Sequence, residues 1–151
     1  MSFSIALHLL AAVIWVGGMI FAHNSLRPAA VQVLEPPLRL ELWVQVFRRF
    51  FLLVWISIAV ILASGYWMLF NYFGGFAGAG THIHIMHGAG LAMVAIYLHV
   101  FFSPYRRLKQ AVIVQDYPLA GAQLNQIRKM VGLNILIGIL VIVVASAGRY
   151  L

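Results

Sequence analysis

Apolar residues run in four long stretches along this chain, and the polar residues gather between them. The stretches cover approximately residues 3–23, 50–72, 84–102 and 131–147, and none contains Asp, Glu, Lys or Arg. Each is close to the ~20 residues with which a helix crosses a hydrocarbon layer. Lipid offers the backbone no hydrogen-bond partners, so such segments satisfy themselves internally as helices. The pattern predicts an all-α membrane protein: one four-helix transmembrane bundle over residues 1–151, with no soluble domain beside it. The first stretch has no basic residue ahead of its apolar run and holds two histidines, so it reads as a retained helix, not a signal peptide. Pro36 and Pro37 suit a helix start, and Pro118 opens another. The second and fourth helices are therefore expected to begin well before their spans. Thr81 reads as the cap of the third helix, and 74–80, rich in glycine, as an exterior turn.

Charge orients the bundle. There are ten basic and three acidic residues. Arg27, Arg39, Arg48 and Arg49 fall between the first two spans, and Arg106, Arg107, Lys109, Arg128 and Lys129 between the last two. The positive-inside rule puts these two links in the cytoplasm and both termini outside. Charge that flanks spans is a topology signal, so nucleic acid is not an expected partner. Membrane lipid is. With no cysteine, disulfides, covalently attached haem and thiolate-held iron–sulfur clusters are excluded.

The six histidines carry the candidate chemistry. His8 and His23 are fifteen residues apart in the first span, and His84 and His99 fifteen apart in the third. Along a helix that is roughly 22 Å of rise and about 60° of rotation, one imidazole near each membrane face. Imidazole is a good iron ligand, and ionisable side chains within a span are functional candidates. The spacing predicts two b-type haems, the inner held by His23 and His99, the outer by His8 and either His84 or His87. His84 shares a face with Gly88, Ala92, Ala95 and His99; His87 lies deeper in the span. His82 is expected in water or beside a propionate. Arg48, Arg49, Arg128 and Lys129 lie level with one another at the inner side, where inward-facing guanidinium groups would pair with haem propionates. Arg149 is the one basic residue at the outer side and the expected partner of the outer propionates. A competing reading places copper on His82, His84, Met86 and His87, a mixed imidazole–thioether set.

The run from Leu7 to Gly18, Leu-His-Leu-Leu-Ala-Ala-Val-Ile-Trp-Val-Gly-Gly, resembles the first helix of the CopD-domain membrane proteins, and the third-helix histidines continue the likeness. That family includes copper-resistance permeases and, more distantly, HemJ-type protoporphyrinogen oxidases, small haem-b proteins with a ligand histidine on the first helix. HemJ-like sequences carry a lysine shortly after a third-helix histidine, and Met86-His87-Gly88-Ala89-Gly90 has none. The resemblance implies a multi-pass protein of the bacterial inner membrane. The function expected is electron transfer by a di-haem cytochrome between a quinol pool and an acceptor protein, with a HemJ-like oxidase or a copper transporter as alternatives.

Overall fold

The structure, a computed structural model, describes residues 1–148. Arg149 lies outside the described residues. Helix α1 (Ser2–Phe21) runs through a π-helical turn (Ala22–Leu26) into α2 (Arg27–Val33). A sharp break then leads to α3 (Pro36–Tyr72), and a glycine-rich turn to α4 (Thr81–Phe102). Helix α5 (Pro104–Ile113) is short, and α6 (Tyr117–Ala147) closes the bundle. Four of these continuous helical stretches are long and apolar enough to cross a membrane.

Helices α3 and α6 begin where their prolines put them. Each has Pro in its first turn, where a missing N–H costs nothing, and the Asp116 carboxylate accepts the Leu119 N–H at 3.1 Å to cap α6. The first helix runs further than expected, to Val33 and not to His23. Pro28 explains how. Its ring would collide with the carbonyl four residues back, and the chain widens there: the Arg27 N–H bonds to Ala22, five residues behind. A π turn relieves the clash without ending the helix. Thr81 does not cap α4; Gly80 holds that position and Thr81 is the first helical residue. The link read as merely polar between the third and fourth spans folds as α5. Its Tyr105, Leu108 and Ala111 are buried at helical spacing, while Arg106 and Arg107 are exposed.

Helix α1 packs chiefly on α3, and α4 on α6, with α5 laid against α6. Part-way toward the arginine-rich end a layer of rings fills the space between them. Phe51 stacks on Phe47 with centroids 5.1 Å apart, meets Tyr97 edge-on at 5.5 Å and Tyr105 at 4.9 Å. The Tyr97 hydroxyl donates to the Phe51 carbonyl at 3.0 Å, joining α4 to α3. At the other end the N-terminal ammonium donates to the Tyr72 hydroxyl at 2.6 Å, and Gly148 lies against His82. Met1, the 73–80 turn and the end of α6 therefore share one end of the bundle, called the outer end below.

Between α1 and α3 the fit depends on Gly18. A β-carbon there would run into the Phe50 ring, whereas one at Gly17 would meet nothing within 4 Å. Small residues let membrane helices approach where lipid gives no hydrophobic drive. Gly18→Ala is expected to destabilise the protein by about 1–3 kcal/mol, the usual cost of overpacking, and Gly17→Ala to leave it unchanged. Reversible unfolding of both variants in mixed micelles checks this; equal midpoints for the two would refute the role given to Gly18.

Candidate cofactor site

Among the described residues, a cavity lies in the bundle on each side of the aromatic layer. The outer has a volume of about 140 Å³ and is walled by all four spans. His8 and Trp15 come from α1, Gly65 and Tyr66 from α3, Met86, His87 and Met93 from α4, Gly138 and Val141 from α6. Glycines from three helices face it, and the remaining wall is aliphatic or aromatic.

His8 is fixed by its neighbours. Its Nδ1 lies 3.0 Å from the Ser64 hydroxyl, and that hydroxyl lies 2.5 Å from the Val60 carbonyl and 3.3 Å from the Ile61 carbonyl. Carbonyls only accept, so the single Ser64 proton goes to them. His8 must then donate from Nδ1, which leaves Nε2 with a free lone pair. Holding one imidazole nitrogen as a donor is how proteins prepare the other to bind a metal. Gly65 makes room: a β-carbon there would stand 3.2 Å from His8 Cε1.

His87 faces the same cavity from α4. Its Nε2 lies 3.0 Å from the Tyr66 hydroxyl, and Phe76 meets its ring edge-on at 5.2 Å. Phe76 belongs to the turn after α3, which folds back over α4 because Gly74 and Gly75 take positive φ values of 69° and 78°. The same ring stacks on His84 at 6.2 Å. His84 itself is exposed and does not line the cavity. The stripe Gly88, Ala92, Ala95 and His99 shares its exposure. Of the two candidates opposite His8, His87 is the one brought to the cavity. His82 is half-buried, between Gly80 and Gly148.

The inner cavity, about 380 Å³, is lined by His23. His99 is exposed on α4 and does not reach it, so the expected inner pair is not assembled. Of the basic residues expected there, Arg128 lines the cavity, while Arg48, Arg49 and Lys129 are exposed and do not line it. Arg27 and Arg39 line it instead. Among the described residues no three His, Asp or Glu side chains converge as a metal site would require. Ser64 and Tyr66 were not singled out in the sequence. The signal was there, since Ser64-Gly65-Tyr66 interrupts an otherwise apolar run, and polar atoms inside a span need partners.

Four spans surround a histidine-lined apolar cavity, and they define the chain as a multi-pass membrane protein. A profile of the copper resistance protein D family, CopD, matches residues 44–147, and the chain belongs to that family. The matched region takes in most of α3 and all of α4 and α5, and ends with α6; His8 and His23 lie ahead of it. No curated protein and no solved structure matches the chain.

Ser64→Ala is expected to release the His8 ring and mix its tautomers. The ¹⁵N shifts of His8 in selectively labelled protein test it: Nδ1 should be the protonated nitrogen in the parent, and both nitrogens partly so in the variant. A parent spectrum with the proton on Nε2 would refute the assignment.

Proposed function

We propose that this CopD-family chain is a membrane redox protein whose outer cavity would hold one haem b through His8 and His87. The observation that carries the reading is the pair of histidines on α1 and α4 that line one apolar cavity, His8 with a free Nε2. The wall is mostly apolar; Gly90 leaves open space on α4, while Gly65 and Gly138 let His8, Val16 and Met93 approach closely. At about 140 Å³ the space is below the ~300–1,000 Å³ usual for organic ligands. Binding therefore requires the spans to part, and Tyr66 to give up its bond to His87. Two imidazole ligands leave no open position on iron, so the group would supply one-electron exchange and not oxygen binding. A quinol is the donor that shares the membrane with it, and an acceptor protein would complete the path. Without the HemJ lysine in 86–90, a porphyrinogen oxidase has less support.

Copper is the second reading, and it has its own observation. Met86 and Met93 line the same cavity as His8 and His87, a soft ligand set suited to Cu(I). The family description points the same way.

The two are separated by the pyridine haemochrome spectrum and the metal content of protein purified in detergent. One haem b per chain is expected, abolished in His8→Ala and in His87→Ala and kept in His84→Ala and His99→Ala. Copper without haem would establish the second reading. Two haems per chain, with one lost in His99→Ala, would restore the paired arrangement that the histidine spacing suggests.

A further inference from the structure

The inner cavity has a different chemistry from the outer one. Arg27 at the start of α2, Arg39 in the first turns of α3 and Arg128 on α6 all line it, beside His23 on the π turn. His23 rests against Gly132 of α6, one turn beyond Arg128, where a β-carbon would stand 3.5 Å from its ring. Of the three carboxylates in the chain, Glu35, Glu41 and Asp116, none lines this space. Three guanidinium groups around one cavity repel one another, and the repulsion is stronger away from bulk water. Pro36 and Tyr117, the first residues of α3 and α6, are also on the wall, and the acidic caps of those helices, Glu35 and Asp116, stand just outside it. Apart from Asn125 the remaining wall is mainly apolar, with Val31, Leu40, Trp43, Phe47, Leu124 and Val131.

We propose that this cavity binds the phosphate of an anionic phospholipid, with Arg27, Arg39 and Arg128 on the headgroup and the apolar wall against its glycerol and first acyl carbons. Guanidinium groups pair with phosphate oxygens through two parallel hydrogen bonds. The volume of about 380 Å³ is in the range of small-ligand sites. Its position fits the source. The cavity lies at the arginine-rich end, which the positive-inside rule assigns to the cytoplasmic face, where anionic lipids meet basic pockets between helices. A free phosphate would use the arginines and leave the aromatic wall unused. The proposal does not depend on what the outer cavity holds.

Delipidated protein in neutral detergent, titrated with phosphatidylglycerol or phosphatidylcholine of identical chains and read by native mass spectrometry, tests this. Phosphatidylglycerol should bind at least about tenfold more tightly, and Arg39→Gln and Arg128→Gln should each lose about tenfold of that affinity, the effect of one charge-assisted hydrogen bond. Arg128→Lys should lose less than Arg128→Gln, and exposed Arg106→Gln nothing. Unchanged phosphatidylcholine binding and circular dichroism show that the variants are folded. Equal affinity for the two lipids, or glutamine variants that bind phosphatidylglycerol like the parent, would overturn the site. Inorganic phosphate that displaces phosphatidylglycerol at equal concentration would overturn the lipid as its source. A second haem that disappears in His23→Ala would give the cavity to a porphyrin.

Discussion

The hydrogen bond from the Tyr97 hydroxyl to the Phe51 carbonyl joins the two halves of the bundle at its most closely packed level. Helices α1 and α3 form one pair, α4 and α6 the other, and lipid gives the pairs no hydrophobic reason to associate. Buried rings and a hydroxyl that has no other partner supply the reason. Trp15 of α1 meets Tyr97 edge-on at 6.3 Å, and Trp55 of α3 meets it at 5.4 Å, so three spans close around one side chain. This aromatic layer separates the outer cavity from the inner one, and Trp15 belongs both to the layer and to the outer wall.

Much of this could be read from the sequence, and what could not has a common cause. The spans follow from backbone needs in lipid, which are the same for every residue type, and the proline starts of α3 and α6 and the turn at 74–80 from the backbone properties of Pro and Gly. Which side of a span faces its neighbours is another matter. In water an apolar face points inward; in lipid both directions are apolar, and the pattern loses its sense. The stripe from His84 to His99 looks like a packing face because its residues are small, yet it is exposed. Depth was the better guide for His87. It sits one turn further along α4, where α3 can reach it with Tyr66 and the turn can reach it with Phe76.

The arginines illustrate the same limit at the other end. Level along the axis was legible, and rotation was not. Arg48 and Arg49 are at the expected depth on α3 but exposed, while Arg39, more than two turns earlier, lines the cavity. Arg27 could not have been placed without the π turn. A straight α-helical end or a loop after His23 would each aim it differently, and only the widened turn before Pro28 sets its direction. Pro28 does not end the helix; the π turn before it lets the helix continue in a changed phase.

The two cavities are separate in content but not in mechanics. Trp15 lines the outer one and packs on Tyr97; Tyr97 packs on Phe51, Phe51 on Phe47, and Phe47 on Trp43 at 5.2 Å. Trp43 and Phe47 line the inner cavity. An unbroken series of contacting rings thus runs from one wall to the other. Close-packed interiors yield little and pass displacement on. If the outer spans part to admit a cofactor, Trp15 moves with α1, and the displacement is carried by rings toward the arginine-lined wall. The aromatic layer that holds the bundle together thus supplies part of the wall of both cavities.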